Sequence, residues 1–342
     1  MNVSRMMRNF LVLFAATSLV ECGGSGASHS IPTSGVTSAH RGHAMGLGTI
    51  SGCGEYPDGS VAALDRRARK IYFYEGPLTN SSTPTATITL PGTSTYDPTG
   101  GMTFDPSGDL WVTYAGSGGS AIYEFAAPLT TGEAPSISIT GSNTRLIAPW
   151  GISYNSATGN IYVADSAAGA VYVWSSSASG NVAPSSTISG SSTTLANPVG
   201  IKTDANYIYV NSGSGGVAIF NLTDSGNVPP QNTITTSTGV WFDFDTARNF
   251  YSAPGSNVNA YIPFGGYVTE VSATTTNALE TIAVDDGGYI YGTPGTNLAV
   301  FSPMNWSNET VTAVATISLG SSAIPGSIAL YSPGKFNGTE PQ

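Results

Sequence analysis

One unit recurs along most of this chain, and each copy has the same four parts. It is clearest in Pro149-Trp-Gly-Ile-Ser-Tyr-Asn155, Gly159-Asn-Ile-Tyr-Val-Ala-Asp165, Ala170-Val-Tyr-Val-Trp174 and Gly180-Asn-Val-Ala-Pro-Ser-Ser-Thr-Ile188. The next copy runs Pro198-Val-Gly-Ile-Lys-Thr-Asp204, Tyr207-Ile-Tyr-Val-Asn211, Val217-Ala-Ile-Phe220 and Gly226-Asn-Val-Pro-Pro-Gln-Asn-Thr-Ile234. Fainter copies precede and follow, with Gly101-Met-Thr-Phe-Asp105, Asp245 with Phe250-Tyr251, and Thr281-Ile-Ala-Val-Asp285 as landmarks. Aromatic and β-branched runs of four to six residues, bounded by Gly, Asn, Asp and Pro, read as short strands and turns.

Starts fall near 57, 98, 149, 198, 237, 279 and 325, so spacings lie between about 39 and 51 residues. Four strands at that period are the arithmetic of a β-propeller blade. The units abut without a linker, which argues for one domain. The seventh start, Ile324-Pro-Gly-Ser-Ile-Ala-Leu-Tyr331, has room for one strand only. A lone strand there completes the first blade and removes the ring's open edge. Seven blades would need an extra unit within 237–275, and that stretch is too short. The expected fold is therefore all-β: a six-bladed propeller of four-stranded blades over 48–335, closed by the C-terminal strand, with a polar tail at 336–342. The recurring Asp105, Asn155, Asp204, Asp245 and Asp285 each follow a first strand, where Asx side chains bond their own turn backbone. The Gly of each Pro-x-Gly start reads as close backbone approach at the crowded centre.

Composition narrows the function classes. Only 9% of residues are charged, against roughly 25% in average soluble proteins. The net charge is −10 and Lys plus Arg number 11. So few cations cannot neutralise a row of phosphates, and nucleic acid is not an expected partner.

The N-terminus carries a targeting signal. Arg5 and Arg8 precede the apolar run Phe10-Leu-Val-Leu-Phe-Ala-Ala-Thr-Ser-Leu-Val20, which is too short to span a bilayer. Leu19-Val20-Glu21-Cys22 followed by Gly-Gly-Ser-Gly resembles the bacterial lipobox. That resemblance implies a signal peptide over 1–21 and acylation of Cys22, with 22–47 as a Gly/Ser/Thr-rich tether. Two or more acyl chains are what stable anchoring needs. Glu21 departs from the small residue expected before the cysteine, and cleavage near Ala15-Ala16-Thr17 would give a free secreted protein instead. The expected location is the cell envelope, membrane-bound through the lipid alone, with no transmembrane helix in the mature protein. Once Cys22 is set aside, Cys53 remains alone, so no disulfide framework is implied.

The blades resemble NHL-repeat propellers over about 57–331, through Pro-x-Gly-Ile, the Gly-Asn-Ile-Tyr-Val-Ala-Asp type of run and the later Val-x-Val-Phe/Trp. Such scaffolds carry enzymes, receptors and assembly proteins alike. Streptogramin lyases and amidating lyases resemble this fold and rely on channel histidines. All three His here, 29, 40 and 43, lie in the tether, which also excludes a Ser-His-Asp triad in the propeller. Cys53-Gly-Glu-Tyr-Pro57 is similar to the segment that supplies a metal-binding Glu in gluconolactonase-type propellers, mapping to Glu55. That alternative implies Ca, Zn or Mn held by oxygen ligands and a hydrolase activity. The Asn-Gly positions of that pattern read Pro149-Trp-Gly and Pro198-Val-Gly here. The main reading has no cofactor and no catalytic residue: a binding or interaction module for an envelope protein, peptide or glycan. Loops leading into the first strands offer Tyr96, Asp97, Arg145, Trp150 and Asn197 as a ligand face, an aromatic with flanking amides and charges.

Overall fold

A computed structural model describes residues 58–91, 100–116, 119–212, 216–235, 241–262, 269–275, 277–304, 311 and 313–333. The expected signal peptide, Cys22, His29, His40, His43, Cys53, Glu55, Tyr96 and Asp97 lie outside these residues. Six four-stranded antiparallel sheets form the blades of a propeller. Blade one joins β1 (Ser60–Asp65), β2 (Lys70–Tyr74) and β3 (Ala86–Thr89). Blade two is β4 (Met102–Phe104), β5 (Leu110–Gly116), β6 (Gly119–Phe125) and β7 (Ile137–Thr140). Blade three is β8 (Pro149–Asn155), β9 (Asn160–Asp165), β10 (Ala170–Ser175) and β11 (Ser186–Ser189). Blade four is β12 (Gly200–Thr203), β13 (Tyr207–Asn211), β14 (Val217–Asn221) and β15 (Asn232–Ile234). Blade five is β16 (Phe242–Phe244), β17 (Phe250–Ser252), β18 (Asn257–Ile262) and β19 (Thr269–Thr274). Blade six is β20 (Leu279–Val284), β21 (Ile290–Pro294), β22 (Asn297–Phe301) and β23 (Ala313–Ser318).

The innermost strand of blade one is β24 (Pro325–Tyr331), from the far end of the chain. It runs antiparallel to β1, with Val61 opposite Leu330 and Ala63 opposite Ile328. The closure expected from the lone C-terminal strand is therefore present. The start near residue 57 opens on the second strand of its blade, and Pro325 opens the true first strand.

Strand alternation explains why each blade needs two neighbours. Successive side chains point to opposite faces of a sheet, and here both faces are apolar. In β1, Ala62 and Leu64 join one cluster with Met102, Phe104 and Val112 of blade two, while Val61 and Ala63 join another with Tyr291, Leu298 and Val300 of blade six. Among the described residues the same division gives six clusters, one at each blade-to-blade junction. Trp111 and Trp174, both fully buried, meet in the cluster between blades two and three.

The recurrent Asx residues act as anticipated and also do more. One carboxylate oxygen of Asp204 accepts the Asn206 and Tyr207 N–H groups, at 2.8 and 2.7 Å. The other accepts the Tyr209 hydroxyl at 2.7 Å. Asp245 with Tyr251, Asp285 with Tyr291, and Asp105 with the Trp111 indole N–H repeat the arrangement. Burial, then the adjacent carboxylate, raises the Tyr251 and Tyr291 hydroxyls, so both stay protonated and remain donors. Each device ties the end of a first strand to the second strand beside it.

The Gly-Asn-Val runs serve as stitches at the rim. The Gly180 N–H donates to Ser138 O at 2.7 Å, and the Thr140 N–H donates back to Gly180 O at 3.2 Å. Asn181 Oδ1 accepts the Asn143 N–H at 2.7 Å. Gly226 and Asn227 repeat these bonds onto Thr187, Ser189 and Ser192 of blade three. At the junction of blades six and one, Asn80 Oδ1 accepts the Thr316 N–H of blade six at 2.8 Å.

The seam where blade six meets blade one gathers Asp58, Asp285, Asp286 and Ser332. The Ser332 hydroxyl accepts the Asp286 N–H at 3.2 Å, and Asp58 Oδ1 is buried without a hydrogen-bond partner. Burial first, and then Asp286, pushes the Asp58 carboxyl up to about 7.

Two predictions follow from closure. Deleting residues 324–342 leaves the cluster between blades six and one uncovered, and the cooperative thermal transition seen by circular dichroism should be lost. A synthetic 324–333 peptide added in trans should restore part of it; full cooperativity of the deleted chain would contradict this account of closure. The second concerns pH. A raised Asp58 means the folded chain holds a proton that the unfolded chain releases between about pH 4 and 7. Its contribution to stability is complete below about 4, falls across that window and is flat above about 7. Urea midpoints of Asp286→Asn should show a weaker fall between pH 4 and 7 than wild type, and the variant should gain most at pH 8.

Candidate functional site

The six first strands line a channel that is narrow at one end and wide at the other. At the narrow end glycine lets backbones meet. A Cβ on Gly101 would lie 2.6 Å from Trp150 O, and one on Gly151 would strike Val199 O. The Thr113 hydroxyl accepts the Gly101 N–H at 2.8 Å and donates to Trp150 O at 2.6 Å, locking blade two to blade three. The Ser327 hydroxyl donates to Gly100 O at 2.9 Å, locking blade one to blade two. Trp150 of blade three and Trp241 of blade five stack at 6.3 Å between centroids, inclined by 11°. Both are partly exposed. Blade four lies between these blades in the ring, and carries Val199 where blade three has Trp150 and Gly200 where blade five has Trp241.

Two residues before each terminal Asx, or before Ser332 in blade one, a side chain reaches the channel. Around the ring these are Thr103, Ser153, Lys202, Asp243, Ala283 and Leu330, and all six line a cavity of about 560 Å³ towards the wide end. Blades two to five thus contribute a polar arc, and blades six and one an apolar arc.

The polar arc is bonded from blade to blade. Ser153 and Thr203 hydroxyls are 3.0 Å apart. Lys202 Nζ lies 3.1 Å from Asp243 Oδ1, with the lysine side chain 36% exposed and the aspartate 6%. Asp243 Oδ2 accepts the Val284 N–H of blade six at 2.9 Å. At the wide rim Arg248 pairs with Asp204, and its Nη2 lies 2.9 Å from the Tyr209 hydroxyl. Asn155 Nδ2 donates to Asp204 O at 2.7 Å. The chemistry on offer is hydrogen bonding from compensated ion pairs and hydroxyls, facing a wall of aliphatic carbon.

A second acidic group sits in blade two. Carboxylate oxygens of Asp105, Asp109 and Glu124 lie within 4.8 Å of one another. Each already has a protein donor: the Trp111 indole for Asp105, the Ala127 N–H at 2.8 Å for Asp109, and the Ser136 hydroxyl at 2.7 Å for Glu124. Burial is the main cause that raises both Asp105 and Glu124, which favours protonation over a gathered negative charge.

Of the ligand face drawn from sequence, Trp150 lies at the narrow end beside Trp241, while Arg145 and Asn197 are exposed on the loops that lead into β8 and β12. Lys202, Asp243 and Arg248 were not singled out, nor was Trp241. The signal for the first two was a charge at a register position where sister blades carry Thr103, Ser153 and Ala283. Trp241 stands four residues before Asp245, where Gly101, Gly151 and Gly200 stand before their own Asx.

No family profile matches the chain, and no curated protein matches its sequence. Solved structures do match. A chain in the crystal structure of a nidogen/laminin complex is 12% identical with a TM-score of 0.56, covering 79% of this chain and 97% of its own. A chain in the crystal structure of the mitotic checkpoint complex is 13% identical with a TM-score of 0.51, covering 82% and 85%. At such identities the likeness shows the β-propeller fold alone.

The Lys202–Asp243 pair gives the site a measurable signature. Asp243→Ala removes the partner of a partly buried lysine and the acceptor of the Val284 N–H. Loss of one member of a buried pair costs about 3–5 kcal/mol, reduced here to about 2–3 by the exposure of Lys202. Urea unfolding should show that loss, and Asp243→Asn, which keeps the acceptor, should recover part of it.

Proposed function

We propose that this protein is a cell-envelope, NHL-like propeller, lipid-anchored through Cys22, that acts as a non-catalytic binding module for a protein, peptide or glycan. The observation that carries this reading is the cavity of about 560 Å³ at the wide end of the channel, within the ~300–1,000 Å³ typical of small-ligand sites. Its two cations are already paired, Lys202 with Asp243 and Arg248 with Asp204, and Asp245 is held by the neutral Asn249 and Tyr251 donors, which supports holding a ligand over shuttling protons. The chain offers no histidine after His43 for acid–base work. Tethering would raise the effective concentration of the module against other envelope components.

Cell fractionation tests the anchor: Cys22→Ser should move the protein from the membrane fraction to the soluble fraction. The binding reading is tested on an array of peptides and glycans probed with wild type and with Thr103→Leu, which fills the cavity from blade two. A ligand retained by wild type and lost by the variant supports it. Chemical turnover of that ligand by purified protein would overturn it.

A further inference from the structure

We infer that the cavity receives the terminal residue of a neutral glycan, an inference that rests on the cavity's being the binding site. Three features of the channel lead there.

The first is the division of its wall. Thr103, Ser153, Lys202 and Asp243 form one arc, and Ala283 and Leu330 face them across the cavity. A pyranose has the matching division: hydroxyls that donate and accept around its edge, and a C–H face that seeks apolar cover. The Ser153–Thr203 hydroxyl pair can donate or accept as the ligand requires. Lys202 Nζ spends one donor on Asp243, and among the described residues no other acceptor takes the remaining two.

The second is charge. Both cations of the cavity are matched by carboxylates, and Asp245 at the rim is held by the Asn249 side chain at 2.7 Å and the Tyr251 hydroxyl at 3.0 Å. A free carboxylate, a peptide C-terminus included, brings a charge that has to displace a partner already in place, and desolvating it without compensation is costly. A neutral hydroxyl adds to these pairs without breaking them.

The third is the crowding opposite the cavity. Among the described residues, backbone contact at Gly101 and Gly151 and the Trp150–Trp241 stack gather at the other end of the first strands. A ligand entering from the cavity side meets this crowding, which suits the end of a glycan better than its middle.

Saturation-transfer NMR on the purified soluble protein (Cys22→Ser) tests the inference. The probes are the methyl glycosides of glucose, galactose and N-acetylglucosamine, glucuronic acid, and a tetrapeptide with free or blocked termini. At least one neutral glycoside should bind, more tightly than glucuronic acid. Ser153→Leu and Thr103→Leu fill the cavity from different blades, and each should weaken binding about tenfold or more, as expected when several hydrogen bonds are lost. Circular dichroism identifies whichever of the two keeps the wild-type fold. Binding of glucuronic acid or a peptide in place of the neutral sugars, lost in the same variants, would overturn the glycan inference and leave the binding reading standing. Glycoside binding unchanged in a folded cavity-filling variant would overturn the cavity as the site. Silence from every sugar would overturn the glycan inference, while the array of peptides and glycans decides the broader reading separately.

Discussion

Every blade of this protein is apolar on both faces, and that single fact organises the rest. A two-faced sheet cannot stop at an edge: each blade must bury one side against its predecessor and the other against its successor. Six such junctions account for the described core, and none of them lies within a single blade. The sixth can form only if the end of the chain returns to the beginning, which is why β24 completes blade one. The interfaces do not act alone. Hydroxyls and amides stitch them at both radii, Thr113 and Ser327 near the axis, Asn181 and Asn227 at the rim. The apolar clusters supply attraction without direction, and the polar stitches set how far each blade is rotated against the next.

What blades share was legible in the sequence; what distinguishes them was not. Repetition reveals a residue only where the fold makes the same demand in each copy. The Asx after the first strand recurs in five blades and the Gly near its start in three, often enough to be seen, and both have the roles expected of them. The aromatic at the second strand was visible as a strand former, yet its bond to the Asx carboxylate depends on two strands lying side by side. The Gly-Asn-Val runs were visible as a repeated phrase with no evident meaning. Their partners are residues some forty positions away in the preceding blade, and only the ring brings them together.

The same reasoning explains why the candidate site escaped notice. A propeller places six equivalent positions around its axis, so any asymmetry in the channel arises where the copies disagree. Lys202 and Asp243 occupy the position held by Thr103, Ser153, Ala283 and Leu330 in the other blades. Read singly, each is a charge in a strand. Read as a ring, they turn a wall of hydroxyls into an ion pair bridging blades four and five, facing aliphatic carbon on the far side. Trp241 is the counterpart at the narrow end, a large ring where three sister blades have glycine.

Ring-building positions and channel-facing positions therefore fall on largely different subsets of the repeat. Positions that every blade fills alike maintain the ring, and changing one breaks a junction shared by two blades. Positions that differ face the axis, where each side chain meets the cavity on one side and a neighbouring blade on the other. Lys202 and Asp243 belong to both groups, since the aspartate also takes the Val284 N–H of blade six. Their bond couples the shape of the cavity to three consecutive blades. A ligand that leaned on this pair would thereby report on, and reinforce, half of the ring.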